Sequence, residues 1–234
     1  GMNVRLKSRE YYFKECYSWS KITSSKISFR YYPKGFVFDV AGCCVFTNKN
    51  NLFYFLGLSN SAVTSNFASF ISPTLNFELD HLKKIPIILA DENKKQYIEK
   101  VVRLNIQMSQ TDWDSYETSW DFKKHPLVNG KSLSAVYAAW KDECEERFLQ
   151  LKANEEELNR IFIDIYGLQD EINPEVADRD ITVHRVYDRK EDVPESMQGS
   201  KYIRTMRDEI VSLISYAVGC MLGRYSLDVE GLAY

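Results

Sequence analysis

Residues 26–39 read KISFRYYPKGFVFD, and much of the first part of the fold follows from this pattern. Polar and apolar side chains alternate along 26–32 until the last step, which is typical of a half-buried strand. Residues 33–35 indicate a turn, and 36–40 predict a second strand. Aromatic residues, which favour strands, crowd the region 9–58. The first third of the chain is therefore predicted to form short antiparallel β structure.

Helical periodicity follows this β-rich region. Apolar residues at helical spacing predict two helices within 52–72, interrupted at 59–61, where short polar side chains can cap the second helix. A short strand is predicted at 75–79. Residues 107–133 are predicted to be a loop packed by its own aromatic side chains, and 173–200 a charged loop or linker. The same apolar spacing predicts longer helices at about 91–106, 135–166 and 201–222.

Charge is distributed unevenly along the chain. Residues 1–50 carry nine Lys/Arg and three Asp/Glu, and 51–140 carry nine of each. Residues 141–234 carry twelve Lys/Arg and twenty-one Asp/Glu, so the formal net charge of −3 averages regions of opposite sign. Together with the shift from aromatic-rich to helical sequence, this predicts an α+β fold. We expect an α+β domain with mixed β structure at 1–133 and a helical support region at 134–234.

The overall composition excludes several classes of protein. With 234 residues, 44% hydrophobic and 27% charged, the chain is typical of globular domains and not of disordered ones. No apolar run approaches the roughly 18 residues of a membrane-spanning helix, so no membrane partner is expected. The five cysteines are an odd number without a CxxC pair, which argues against a secreted disulfide framework. A reducing, cytoplasmic location is expected.

Common catalytic motifs are missing from the sequence. It contains no GxGxxG, Walker A, HExxH or GxSxG pattern. The three histidines are far apart and lack metal-ligand spacing, so no metal site is predicted. Cys43 and Cys44 follow a predicted strand and could include a thiol nucleophile, although buried small residues at a strand end are the more common case. We therefore predict no catalytic residues in this chain.

One group of side chains favours nucleic-acid binding. Cationic and hydroxyl side chains alternate with Trp19, Tyr31 and Tyr32 between residues 14 and 34. Cations neutralise phosphates, hydroxyls bond to phosphates or base edges, and arginine can bind guanine through two parallel bonds. A positively charged strand edge that only prevents aggregation has the same composition. The predicted DNA contacts are Lys21, Ser24, Lys26, Arg30, Tyr32 and Lys34.

Several strings, taken in order, resemble a known family. Together they resemble the region C-terminal to the catalytic domain in adenine-specific DNA methyltransferases of the BREX phage-defence type, close to type IIG restriction-modification enzymes. The resemblance covers most of 9–234. Its strings are 11–15 (YYFKE), 17–22 (YSWSKI), 29–39 (FRYYPKGFVFD), 53–61 (FYFLGLSNS), 72–78 (SPTLNFE), 84–87 (KIPI), 155–168 (EEELNRIFIDIYGL) and 215–228 (SYAVGCMLGRYSLD).

The resemblance implies a role in adenine methylation. In the family, a separate catalytic domain uses S-adenosylmethionine and holds the flipped adenine with an Asn-Pro-Pro-Tyr motif. Neither that motif nor a glycine-rich cofactor loop occurs here, and the Asn-Pro at 173–174 lies in an acidic segment. The resemblance therefore implies a fragment, or a truncated relative, that holds the recognition part without the catalytic domain or its cofactor. Residues 1–133 would be the target-recognition domain, binding double-stranded DNA beside the methyltransferase catalytic domain.

A second interpretation remains open at this stage. The acidic helices could dock a partner protein of the same defence system, with the β structure acting as a scaffold and no direct contact to DNA. Pull-down of defence-system components without DNA affinity would favour this interaction module. A third interpretation, a cysteine-dependent hydrolase, requires a histidine within reach of Cys43 or Cys44.

Overall fold

The computed structural model describes residues 8–22, 26–39, 41–47, 51–72, 76–128 and 132–233. Within these ranges, α-helices predominate over two small sheets, and the predicted α+β fold is confirmed. In the same part of the chain, no helix combines the length and the apolar composition that crossing a membrane requires.

The strands are short and form two separate sheets. They are β1 (Cys16–Ser20), β2 (Arg30–Tyr32), β3 (Gly42–Val45), β4 (Arg185–Tyr187) and β5 (Ile203–Thr205). β1 lies between β2 and β3 and is antiparallel to both, whereas β4 and β5 pair in parallel. The strand predicted at 26–32 forms at its last three residues. Residues 36–39 form no strand, contrary to the prediction, and residue 40 lies outside the described ranges.

The helices agree with the predicted periodicity over most of their length. They are α1 (Leu52–Asn60), α2 (Ala62–Ile71), α3 (Leu79–Leu82), α4 (Glu92–Asp114), α5 (Leu133–Tyr166) and α6 (Met206–Met221). Ser61 caps α2 as predicted, since its hydroxyl accepts a hydrogen bond from the Thr64 N–H at 3.4 Å. α6 begins later than predicted because residues 203–205 pair with β4. Short 3-10 turns lie at Arg9–Tyr11, Pro126–Val128, Asp178–Asp180, Lys190–Asp192 and Glu195–Met197.

Three other predictions need correction. α4 continues to Asp114, so the first part of the predicted loop at 107–133 is helical. The predicted strand at 75–79 is replaced by an isolated bridge between Asn76 and Ile22, followed by α3, while Leu75 lies outside the described ranges. The predicted loop or linker at 173–200 is mainly irregular, but it also contains β4 and three 3-10 turns, and part of it is buried.

The chain divides into two compact units. The first comprises 1–103 and 157–174, and the second comprises 104–156 and 175–234. α4 and α5 therefore each contribute residues to both units. The two units are described separately below.

In the first unit, α1 packs closely against parts of α4 and α5. Gly57 makes this approach possible, because a Cβ placed there would lie 2.8 Å from Val102 Cγ2 and 3.5 Å from both Ile98 Cγ2 and Phe162 Cε2. All three neighbours are buried, and Val102 is β-branched and stiff. No side chain fits at residue 57 without moving them.

Replacing Gly57 with valine is expected to lower the free energy of unfolding by about 2–3 kcal/mol, because overpacking a dense core costs about that much. Urea denaturation of the purified chain measures the loss. Truncating the neighbour in the double variant Gly57→Val/Val102→Ala should recover part of it, which a double-mutant cycle would detect as coupling. Equal denaturation midpoints for Gly57→Val and the unchanged chain would contradict this packing.

In the second unit, part of the segment predicted to be a loop or linker is packed into the core. Ile181, Val183 and Met197 are fully buried and cluster with Phe148 and Leu151 of α5. Charged side chains also attach this segment to the helices: Arg185 binds Glu145, Lys152 binds Asp178, and Lys141 binds Asp188. The segment is therefore an integral part of the second unit.

Candidate functional site

The two faces of the three-stranded sheet have different environments, because successive side chains of a strand point to opposite sides. One side, here called the core face, carries Tyr17, Trp19 and Tyr31. Trp19 is buried and its Nε1 donates a hydrogen bond to the Phe77 carbonyl at 2.8 Å. The Tyr31 ring lies 5.5 Å from that of Phe53 in α1. Side chains of the core face are therefore used for packing.

The opposite side, here called the open face, carries Cys16, Ser18 and Ser20 of β1 with Arg30 and Tyr32 of β2, and Cys16 is buried there. Ser18 pairs with Arg30 in the antiparallel register. Arg30 and Ser20 are exposed and Tyr32 is 37% exposed, whereas Ser18 is buried. Arg30 and Tyr32 are two residues apart and therefore project from the same side of the strand. The open face thus presents a guanidinium and a phenol to solvent.

Exposed aromatic side chains extend from this face. We call Phe13, Tyr32 and Phe36 the aromatic rim. The rings of Tyr32 and Phe36 meet edge-on at 5.6 Å, and Phe13 is 61% exposed. The Phe13 N–H donates to the Phe36 carbonyl at 2.9 Å, and the Phe13 carbonyl accepts from the Gly35 N–H at 3.2 Å. These two backbone bonds join the two segments that form the rim.

The backbone at the rim is unusual. Phe13 has a φ of +63°, which is uncommon for a bulky residue. Gly35 has a φ of +108°, which a side chain rarely adopts, so glycine suits this turn. Such conformations persist where surrounding contacts hold them, and they cluster at binding sites. The two Phe13 backbone bonds supply those contacts here.

The structure brings some of the predicted contact residues together. Arg30, Tyr32 and Lys34 follow one another along β2 and the next turn, and all three are exposed. Lys21 lies just after β1, where its Nζ is 2.9 Å from Glu78 Oε1, and this carboxylate raises the pKa of Lys21. Lys26 is exposed in the segment before β2. Ser24 lies outside the described residues.

Two aromatic residues grouped with these contacts in the sequence belong to the core face. Trp19 is 3% exposed, and the Tyr31 hydroxyl donates to Glu15 at 3.1 Å. Sequence reasoning missed the exposure of Phe13 and Phe36, because it treated aromatic residues as evidence for strands. An aromatic residue's type does not show which side of a sheet or turn it occupies. The turn signal at 33–35 was the available hint that the residues beside it are exposed.

The adjacent cysteines lie within β3 instead of following a strand. Hydrogen bonds from Cys16 and Ser18 lower the pKa of Cys44 to about 7, while burial raises that of Cys43. The Cys44 thiol also contacts the Gly42 carbonyl at 3.6 Å. Among the described residues, no histidine is hydrogen-bonded to either thiol. In that same part of the chain, no group of three or more histidine, cysteine or carboxylate side chains could hold a metal ion.

Comparison with known proteins finds two relatives that align with nearly the whole chain. The adenine-specific methyltransferase PglX of Lacticaseibacillus casei (strain Zhang) is 39% identical over 242 aligned residues, covering 98% of this chain. The adenine-specific methyltransferase BrxX of Escherichia coli O9:H4 (strain HS) is 33% identical over 236 residues, covering 99% of this chain. No family model matches the sequence.

The chain spans about a fifth of these relatives' length, 18% of PglX and 19% of BrxX. The resemblance to a part of BREX-type adenine-specific methyltransferases, inferred from the strings between residues 11 and 228, is confirmed. The open face and the aromatic rim therefore lie on a chain that corresponds to one segment of a much longer kind of protein.

Proposed function

We propose that this chain is the DNA target-recognition segment of an adenine-specific DNA methyltransferase in a phage-defence system. In this proposal it binds double-stranded DNA beside a catalytic domain that it does not itself contain. The observation that carries the proposal is the open face with its rim, where Arg30, Tyr32 and Lys34 are exposed together. Both relatives are named adenine-specific methyltransferases, and the proposal takes its reaction class, adenine-specific methylation, from that name.

The chemistry of these side chains suits a DNA duplex. An arginine guanidinium can donate two parallel bonds to guanine O6 and N7 in the major groove. The ammonium of Lys34 can pair with a phosphate, which positions the duplex without reading its sequence. Exposed aromatic rings can stack on bases or wedge between base steps. The formal net charge of −3 does not oppose binding, because the basic excess lies in residues 1–50.

Within this proposal, the division into a recognition domain at 1–133 and a helical support region at 134–234 remains a prediction. The compact units divide the chain elsewhere, within α4 and α5. All the proposed contacts lie in the first unit. S-adenosylmethionine would be bound by the catalytic domain.

Removing the proposed contacts should weaken DNA binding in two different ways. Arg30→Ala should raise Kd about 5- to 100-fold on the cognate site and relax the preference at one base pair, as expected for a lost base contact. Lys34→Ala should weaken binding to all sequences similarly and reduce the salt slope by about one. Fluorescence anisotropy with cognate and unrelated duplexes at several salt concentrations measures both effects.

The matched control is Lys83→Ala. Lys83 is an equally charged, exposed residue of the same unit and pairs with Asp80 at 3.2 Å after α3. Its loss should leave Kd within twofold of the unchanged chain. Absence of any DNA binding at low salt, or an equal loss for Lys83→Ala and Arg30→Ala, would contradict the proposal.

The alternative, a protein-interaction module without DNA contact, depends on free acidic side chains along α5. Several of these carboxylates bind cations of the chain itself: Glu143 binds Arg147, and Glu145 binds Arg185. Glu156 accepts a hydrogen bond from the Val176 N–H at 3.3 Å. The two ion pairs reduce the charge that α5 could offer to a basic partner, and we therefore favour DNA recognition.

A further inference from the structure

α6 has two sides with different environments. The inner side packs into the second unit through Ile210 and Leu213 in one cluster and the buried Tyr216 in another. Gly219 adds a close contact, since a Cβ there would lie 2.7 Å from the Tyr225 ring. The opposite side, here called the outer face, is apolar and exposed to solvent. It consists of Val211 (57% exposed), Ile214 (57%), Val218 (47%), Met221 (85%) and Leu222 (80%).

The outer face has the pattern of a helix-packing surface. Val211, Ile214, Val218 and Met221 are separated by three, four and three residues, which is the spacing of the seam in packed helices. The helix carries no charged residue from Ile210 to its end at Met221. This is unusual within 141–234, where 33 of the 94 residues are charged. Isolated exposed apolar residues are ordinary, whereas an uncharged apolar strip at helix-packing spacing is a candidate docking surface.

The size of the outer face indicates which kind of partner covers it. A fully exposed aliphatic side chain contributes about 60–120 Å² of apolar surface, so the five residues, weighted by their exposed fractions, expose roughly 200–400 Å². Two copies packed together would bury on the order of 600 Å², well below the roughly 1,200 Å² of a stable interface between separate molecules. A segment of the same polypeptide needs less area, because the covalent link supplies a high effective concentration.

We propose that the outer face of α6 docks an apolar helical segment from another part of the same methyltransferase polypeptide. The inference rests on the proposed function, in which this chain is one segment of such an enzyme. The relatives support an internal partner, because about four-fifths of their length lies outside the region that matches this chain. The docked helix should carry its own apolar stripe at three- and four-residue spacing, so that the two stripes interlock.

Hydroxyl-radical footprinting with mass spectrometry tests this docking at native residues. The oxidation rates of Met221 and Leu222 are compared between the purified chain and the full-length methyltransferase in which we place this segment. We expect at least a fivefold lower rate in the full-length protein. Trp120, which is 95% exposed and lies outside α6, serves as the internal reference for radical dose. Equal rates for Met221 relative to this reference in both proteins would overturn the proposal.

A pair of variants in the full-length protein separates docking from general folding effects. Val218→Glu places a charge within the interface and should restore Met221 oxidation, whereas Val218→Leu should retain the protection. In the purified chain, protection of Met221 that rises with protein concentration would indicate a second copy as the partner and would also overturn the proposal. Failure of the chain to bind DNA would contradict the proposed function but would leave the footprint result unchanged, so the two failures are distinguishable.

Discussion

Replacing Asp112 with alanine is expected to lower the free energy of unfolding by about 3–5 kcal/mol, as is typical when one partner is removed from a buried ionic network. Asp112 and Arg147 have side chains only 4% and 6% exposed, and their closest charged atoms lie 3.5 Å apart. Asp112 also accepts a hydrogen bond from the His184 N–H at 3.0 Å and lies 2.8 Å from His184 Nδ1. Its removal leaves a buried guanidinium with only the carboxylate of Glu143, which is largely exposed.

Urea denaturation measures the effect of Asp112→Ala. The control is Asp142→Ala, an exposed residue of α5, which should change the unfolding free energy by less than about 0.5 kcal/mol. The conservative variant Asp112→Asn keeps an oxygen for the His184 N–H and should lose less than alanine. A loss below about 1 kcal/mol for Asp112→Ala would show that the network contributes little to stability.

Replacing Glu209 with alanine should also destabilise the second unit, by about 3 kcal/mol. Glu209 is fully buried at the start of α6, where its carboxylate binds Arg204 and accepts a hydrogen bond from Trp140 Nε1 at 3.1 Å. The Arg204 guanidinium also lies over the Tyr116 ring, 4.4 Å from its centroid. Without the carboxylate, the indole N–H loses its acceptor, and the partly buried Arg204 keeps only its hydrogen bond to the Asp208 carbonyl at 3.3 Å.

Glu209→Gln separates the two contributions, because it removes the charge while keeping an oxygen acceptor and nearly the same volume. It should cost about half as much as alanine by thermal or urea denaturation. Glu191→Ala, an exposed carboxylate in the same unit, is the matched control and should have an effect within about 0.5 kcal/mol. Equal stability of Glu209→Ala and Glu191→Ala would contradict the inferred role of Glu209.

The segment at 173–200, predicted to be a charged loop or linker, is partly buried in the second unit because it makes long-range contacts of this kind. Its charged side chains are typical of a solvated loop, but they bind partners that are distant in the sequence. The backbone N–H of His184 donates to Asp112, 72 residues away, and the Arg185 side chain binds Glu145, 40 residues away. Sequence patterns of local spacing do not contain this information, because the partners meet only after the helices have packed.

Two adjacent residues of the three-stranded sheet also differ in burial for a reason that local sequence does not contain. Tyr31 and Tyr32 are adjacent and chemically identical, and the sequence grouped both with the proposed DNA contacts. Strand pairing places Tyr31 on the core face, where its ring packs on Phe53, and Tyr32 on the open face beside Phe36. Because side chains alternate along a strand, the sequence predicts that Tyr31 and Tyr32 point to opposite sides of the sheet. Which of these sides helix α1 covers is decided only when the unit has folded.

The sequence alone was sufficient for the features that depend on neighbours along the chain. Helix α5, the cap at Ser61, the turn at 33–35 and the excess of basic residues near the start all follow from local spacing, capping and composition. The resemblance to adenine-specific methyltransferases could also be read from the strings. Only the tertiary structure decided which aromatic residues lie on the core face and which on the open face. It also decided that part of 173–200 is buried and that the outer face of α6 is exposed. The reason is physical: burial and ion pairing depend on which distant residues come together, whereas helix and turn formation depend mainly on adjacent ones.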